Sequence, residues 1–323
     1  MKKIVILLVA LLLLATACTP AAQPGDNGAP PPADEQITIA VITKIIDPFF
    51  QTLIDYCVQR GNELGVNIIY SAASHVAAIE EQIAIVQNMV AMNVDAIIIS
   101  PIDSIALVSA VEEAYAAGIP VIAFDNEFDA DAVARAGLPP IPFVGIDNEA
   151  SAYLSAMYLV NYLGGEGRVA ILEGLTGADN AILRANGGRR AFESAPGIEI
   201  VASQAADWDT ERGYAVMTNI LQANPDIVGV FSSADPMSYG ALRAIEDAGR
   251  KGQIAVASFD GLRPAIELIA AGELLATLDQ NAPGISAMAV DVAMKGIRGE
   301  TLEPFYVVEP ILITRANYAQ FLN

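Results

Sequence analysis

From Ile37 onward, short unbroken runs of Val, Ile and Ala alternate with longer segments in which apolar residues recur every three to four positions. The runs are Ile37–Thr43, Val66–Ser71, Ala96–Ser100, Val121–Asp125, Phe143–Asp147, Val169–Glu173, Ile198–Ser203, Val228–Ser232, Ile254–Asp260 and Leu275–Asp279. They lack strict polar alternation, so each reads as a strand covered on both faces, the pattern of a parallel sheet. The segments between them have readable helix ends. Asp47-Pro48 predicts an N-cap followed by proline at the first helical position, with Gly65 after the last turn. Asp235-Pro236 predicts the same device, with Gly249 near the end of that helix. Ile79, Ile83, Val86 and Val90 share one helix face, and Gly118 stops a helix before Pro120 leads into the next strand.

This β-α-β-α order predicts doubly wound open sheets, and there are too many units for one sheet. Residues 37–323 also exceed the commonest size of a single core, so two α/β domains are expected. In such sheets ligands bind beyond the carboxyl ends of the strands. Those ends are polar here: Thr43, Asp125-Asn126, Asp147, Asp235, Asp260 and Gln280. Any one of them is equally readable as a cap or loop residue. As a set they predict a polar cleft.

The N-terminus changes the picture of where the protein works. Met1-Lys2-Lys3 is basic, Ile4 to Leu14 is unbroken apolar, and Ala15-Thr16-Ala17 places small residues before Cys18. Basic, apolar, small is the order of a secretory signal, and the apolar run is too short for a stable membrane span. The small residues before cysteine resemble the bacterial lipobox, which implies removal of residues 1–17 and lipidation of Cys18. An ordinary signal peptide with an incidental cysteine is the alternative; the position of Cys18, where cleavage falls, favours the lipid. Residues 18–36, rich in Pro, Ala, Gly and Asp, read as a flexible tether. One acyl chain holds a membrane only marginally, so the multiply acylated lipoprotein type is implied. The net charge of −21 argues against nucleic acid, which requires a basic face. The only other cysteine, Cys57, lies in an amphipathic segment and reads as a small core residue.

Catalytic chemistry is not legible. His75 is the sole histidine and has no nucleophile motif beside it. Gly174-Leu-Thr-Gly177 lacks the lysine of a phosphate loop, and no Gly-x-Gly-x-x-Gly follows the first strand. The expectation is reversible binding without metal or cofactor. Carboxylates and arginine at strand ends supply charge-assisted hydrogen bonds to hydroxyls, and aromatic rings supply rigid apolar faces for a sugar. Phe49-Phe50 stands at the mouth of the first strand and reads as core or as ligand contact. Trp208, the only tryptophan, lies between Asp207 and Asp209, which argues against deep burial and for ligand contact.

Taken together, the chain resembles the ribose/galactose class of bacterial sugar-binding proteins of ABC importers, which have the type 1 periplasmic-binding fold. The motifs are Ile-Ala-Val-Ile-Thr with Asp-Pro-Phe-Phe at 39–50, Ile-Ile-Ile-Ser-Pro-Ile-Asp at 97–103 and Pro-Val-Ile-Ala-Phe-Asp at 120–125. Ala-Asp-Trp-Asp at 206–209, Ser-Phe-Asp-Gly at 258–261 and Ala-Thr-Leu-Asp-Gln at 276–280 follow. The resemblance implies ligand contacts from Thr43, Asp47, Phe49, Phe50, Asp125, Arg184, Trp208, Asp260 and Gln280, with Arg189 and Arg190 as competitors for the role of Arg184. Asn126 stands where ribose binders have arginine, Ala234 where an amide is usual beside Asp235, and Asp47 in place of an amide. Asn126 and Asp235 therefore join the candidate site as altered positions, and ribose is not assumed as ligand.

The resemblance further implies two doubly wound parallel-sheet domains joined by a hinge. The first is 37–146 plus 281–309 and the second 147–280 plus 310–323. A small polar ligand, most simply a monosaccharide, would close the lobes and be delivered to the membrane permease of an ABC importer. A sensor read by a receptor kinase, or an extracytoplasmic sugar-acting enzyme, are the rival readings.

Overall fold

The computed structural model describes residues 36–322. Every one of the ten apolar runs overlaps a strand. β1 (Thr38–Thr43), β2 (Asn67–Ala72), β3 (Ala96–Ile99), β4 (Val121–Phe124) and β5 (Phe143–Gly145) belong to one sheet. β6 (Glu166–Glu173), β7 (Gly197–Ala205), β8 (Gly229–Ser232), β9 (Ala255–Asp260) and β10 (Ala276–Asp279) belong to a second. Two further strands, β11 (Phe305–Val307) and β12 (Ile311–Thr314), are absent from the reading of the sequence. They are short edge strands, and Phe305, Val307 and Ile311 are exposed, so no continuous buried run marks them.

The sheet orders are β2-β1-β3-β4-β5-β11 and β7-β6-β8-β9-β10-β12. All pairings are parallel except β10 with β12. The fold is thus two doubly wound α/β lobes. The chain passes from one sheet to the other after β5, after β10 and between β11 and β12.

The helices are α1 (Pro48–Leu64), α2 (Ile79–Ala91), α3 (Val108–Ala116), α4 (Ala130–Arg135), α5 (Asn148–Tyr162), α6 (Asp179–Glu193), α7 (Thr210–Ala223), α8 (Asp235–Asp247), α9 (Arg263–Ala271) and α10 (Ala282–Ile297). Successive side chains of a strand point to opposite faces, and here both faces are dry. In β1, Ile39 and Val41 pack with Leu53 of α1 and Ile285 of α10, whereas Ala40 and Ile42 pack with Val86 of α2 and Val111 of α3. In β6, Val169 and Ile171 face Ala156 of α5 and Phe192 of α6, whereas Ala170 and Leu172 face Met217 of α7 and Met237 of α8. Burial of each large aliphatic chain of this kind contributes about 1.5–3 kcal/mol. Cys57 is fully buried in the α1 layer, and burial pushes its thiol up to about 12, which makes it inert.

Helix ends hold the site loops in place. Asp47 caps α1 by accepting from Phe50 N at 2.8 Å, Pro48 follows it, and Gly65 closes the helix at φ 71°. Asp147 is also a cap, accepting from Ala150 N at 2.9 Å, so this polar strand end serves α5. Asp235 departs from expectation. The N-cap of α8 is Ala234, so Asp235 and Pro236 both lie inside the first turn. The Asp235 carboxylate turns inward instead, accepting from Leu262 N after β9 and from Thr277 Oγ1 within β10.

Candidate functional site

The carboxyl ends of both sheets meet at a cleft. From the first lobe come Lys44, Asp47, Phe49, Phe50 and Asp125; from the second come Asn180, Arg184, Trp208 and Asp260, with Gln280 at a crossing. Eight of the residues singled out from the sequence are therefore brought together: Asp47, Phe49, Phe50, Asp125, Arg184, Trp208, Asp260 and Gln280.

On the first side a buried ion pair joins two strand ends. Lys44 follows β1 and its Nζ lies 3.3 Å from Asp125 Oδ2, with both side chains almost wholly buried. Ser100 Oγ donates to the same oxygen at 2.7 Å. Burial lowers the Lys44 ammonium from its ordinary value, and Asp125 opposes that shift. Phe49 and Phe50 meet edge to face, centroids 5.4 Å apart. They line the cleft and also belong to the core.

On the second side Arg184 of α6 is the hub. Its Nε donates to Asn148 Oδ1 at 2.8 Å, and its Nη1 donates to Ser233 O and to Asp260 Oδ1, both at 3.1 Å. Its guanidinium lies 3.9 Å from the Phe259 ring centroid and 5.5 Å from that of Trp208. The neighbouring arginines are engaged outside the cleft, Arg189 with Ser203 and Arg190 with Glu149. Asp260 also accepts from Gln280 Nε2 at 2.7 Å and from Asp235 N at 3.2 Å. Burial raises Asp260 to about 6 against the pull of Arg184. Asp125 and Asp260 both sit at positive φ, 62° and 117°. Non-glycine residues there cost roughly 1–3 kcal/mol each, a strain that surrounding structure must hold and that clusters at functional sites.

Trp208 is half-buried rather than exposed. Its ring lies against Gly174, where a Cβ would come within 1.9 Å of Cη2. The flanking aspartates have local duties: Asp207 pairs with Arg212 at 2.8 Å and Asp209 caps α7. The indole therefore has a structural partner in Gly174 as well as a place on the cleft wall.

Three candidates do not line the cleft. Thr43 Oγ1 donates to Ile45 O at 2.8 Å and shapes the turn after β1. Asn126 is fully buried, and its amide holds Pro101 O and the N-terminus of α6. Asp235 accepts from Thr277 Oγ1 and Leu262 N, each at 2.8 Å, and burial with the nearby Asp260 raises its carboxyl well above the usual range. All three sit at strand ends, but their polar atoms are spent on the protein. Cys18 lies outside the described residues.

Lys44 and Asn180 are the site residues that the sequence reading misses. Lys44 is one step past the strand-end Thr43. Asn180 follows the Gly174–Gly177 turn, whose glycines suggest a phosphate loop but whose sequence lacks its lysine. Both fail to register because a lysine or asparagine beside a helix start ordinarily faces water.

The arrangement has a definite chemistry. Each cation is matched within the protein, Lys44 by Asp125 and Arg184 by Asp260. Three buried polar atoms on the cleft wall, Arg184 Nη2, Trp208 Nε1 and Asn180 Oδ1, have no hydrogen-bond partner within the protein. A buried unpaired donor or acceptor costs about 1–3 kcal/mol, so these atoms call for a ligand that both donates and accepts.

Glu127, beside Asn126, is a second kind of strained group. Burial first, then Asp179 and Asp147, raise its carboxyl to about 7 from an ordinary 4.5. A raised folded value means that the stabilisation is full below the ordinary value and is lost as pH rises through about 7. Glu127→Gln should therefore melt higher than the parent at pH 7.5, by about 2 °C. The gap should close near pH 4. Parallel melts across that range check this, and a gap independent of pH would refute it.

Residues 39–301 match the family described as periplasmic binding protein domain. The D-allose-binding periplasmic protein of Escherichia coli is 31% identical, over 85% of this chain and 91% of its own length. The ribose import binding protein RbsB of Escherichia coli is 32% identical, over 86% of this chain and 90% of its own. Among solved structures, an ABC transporter periplasmic solute binding protein from Actinobacillus succinogenes with bound D-allose superposes with a TM-score of 0.85 at 37% identity. The match covers 88% of this chain and all of that one. A solute binding protein from Bacillus halodurans with bound myo-inositol gives 0.80 at 30% identity, over 89% of this chain and 97% of that one.

Proposed function

The chain belongs to the periplasmic binding protein family, and from that premise we propose that it is an exported lipoprotein that captures a neutral monosaccharide between its lobes and delivers it to the permease of an ABC importer. The single observation that carries the ligand class is the pairing of charge. Lys44 with Asp125 and Arg184 with Asp260 leave no unmatched cation in the cleft to select an anion. They present charge-assisted donors and acceptors suited to hydroxyls. The unfilled atoms of Arg184, Trp208 and Asn180 add two donors and an acceptor, which a polyol satisfies at once. Phe49 and Phe50 on one side and Trp208 on the other supply apolar faces for a ring.

In this reading Asp47, Phe49, Phe50, Asp125, Arg184, Trp208, Asp260 and Gln280 contact ligand, joined by Lys44 and Asn180. The lobes are 37–146 with 281–309 and 147–280 with 310–323, a division that the two sheets support. Ligand touching both lobes favours their closed arrangement, a population shift. Cys18 carries the lipid, residues 1–17 are removed, and 18–36 tether the body to the outer face of the membrane.

Titration calorimetry of the body against D-allose, D-ribose, other pentoses and hexoses, and myo-inositol tests the ligand class. Saturable heat from at least one sugar is expected, unchanged by chelator. A folded sample that gives no heat with any of them overturns the reading. Mass spectrometry of the membrane fraction tests the lipid, and an unmodified or uncleaved N-terminus refutes it.

A further inference from the structure

We propose that Ser104 and Asn126 form a clasp that caps helix α6 across the cleft and holds the two lobes together whether or not ligand is bound. Asn126 thereby acts as a positioning residue for Asn180. The first N–H groups of a helix have no partner within it and need one from outside. α1, α4, α5, α7 and α10 bring their own: Asp47, Asp129, Asp147, Asp209 and Asn281 stand at their N-caps and accept from the first turn. α6 cannot do this, because its N-cap is Ala178, whose methyl accepts nothing.

The missing acceptors come from the other lobe. Asp179 N donates to Ser104 Oγ at 3.2 Å, and Asn180 N donates to Asn126 Oδ1 at 2.9 Å. Ser104 lies between β3 and α3, and Asn126 between β4 and α4, both on the first sheet's side. The Asn126 amide is fixed in orientation: its Nδ2 donates to Pro101 O at 2.9 Å and to Ser104 Oγ at 3.3 Å, which leaves the oxygen facing α6. Around these two bonds the lobes touch closely. Ser104 N donates to Gly177 O at 3.4 Å, and Asn180 Nδ2 donates to Asp125 O at 3.4 Å. Gly177 has φ 95°, and a Cβ there would stand 2.8 Å from Asp103 Oδ2.

Two consequences follow. Parting the lobes uncaps α6, so the closed arrangement is favoured by the protein alone. The backbone of Asn180 is pinned by Asn126, which aims Asn180 Oδ1 at the cleft as a free acceptor. The clasp rests on the binding reading only in that the lobes are taken to part. Its test needs no ligand.

Site-resolved hydrogen exchange on the ligand-free chain compares the parent with Asn126→Ala, Ser104→Ala and the double variant. Loss of a capping bond of ordinary strength shifts the closed population about threefold to tenfold. In Asn126→Ala the amides of Asp179 and Asn180 should exchange faster by that factor. So should the amide of Ser104, whose own partner Gly177 O is untouched by the substitution. Amides inside β3 and β8 should not change, which separates opening from unfolding. X-ray scattering should show a larger mean radius for the double variant. If the double variant fails to fold, the two single variants decide. Unchanged exchange at Ser104 in Asn126→Ala, or acceleration confined to Asn180, overturns the clasp. In the parallel binding arm, Ser104→Ala lowers D-allose and D-ribose affinities by one common factor, since Ser104 does not line the cleft and the Asn126–Asn180 bond stays in place. A loss specific to one sugar in Ser104→Ala would overturn the proposal. Absence of binding by either sugar in the parent speaks only to the binding reading.

Discussion

Asp260→Ala is expected to weaken sugar binding by about a hundredfold or more and to lower the stability of the empty protein by about 3–5 kcal/mol. Both losses come from the same atoms. Asp260 Oδ1 accepts from Arg184 Nη1 and Gln280 Nε2, and Oδ2 accepts from Asp235 N. Removing the carboxylate leaves the buried Arg184 guanidinium without its ion-pair partner, and breaking one side of a buried pair is far costlier than the pair's own net worth. Arg184 and Gln280 would then turn to other partners, so the wall facing the ligand loses its shape as well as one acceptor. The loss fits within the 5–15 kcal/mol typical of a domain, so the variant should still fold at 25 °C. Asp260→Asn keeps the shape without the charge and should fall between the two. Urea denaturation and calorimetry on the three proteins measure this. Parent-like midpoints and parent-like affinity in Asp260→Ala would show that the Arg184–Asp260 pair is not the centre of the site.

Gly174→Ala should weaken binding by about tenfold and lower the melting temperature by a few degrees. Gly174 is buried in the loop between β6 and α6, and an added Cβ would lie 1.9–2.4 Å from three atoms of the Trp208 ring. A rigid indole cannot absorb that by bending, so the whole side chain must swing. Trp208 already sits at φ 62°, which limits the backbone's freedom to follow. The displaced ring would no longer face the cleft or the Arg184 guanidinium. Trp208 is the only indole, so its emission reports the change directly. Ligand-free Gly174→Ala should emit differently from the parent, and the emission change on adding sugar should shrink. An unaltered spectrum together with unaltered affinity would separate Trp208 from ligand recognition.

The site was legible in the sequence as far as chain direction alone places residues. A strand end in a doubly wound sheet points at the cleft whatever its neighbours are, so Asp125, Asp260 and Gln280 could be named from position. Arg184 could be named only through resemblance, since Arg189 and Arg190 share its helix. The structure separates them because only Arg184 faces Asn148 and Asp260. The same positional logic failed for Thr43, Asn126 and Asp235, whose polar groups are consumed by Ile45 O, the N-terminus of α6 and Thr277.

The sequence by itself determined the element order, both sheets' central strands and the caps at Asp47 and Gly65. These depend on hydrophobic period, backbone φ and local hydrogen bonds, all of which act within a few residues. The tertiary structure alone decided which polar groups face the cleft and which are used up in holding it. It also decided the edge strands β11 and β12, the contact of Gly174 with Trp208 and the capping of α6 by Asn126. In each of these the partner lies far away along the chain, or an edge is set by what it leaves uncovered, and no local pattern encodes the meeting of two distant surfaces.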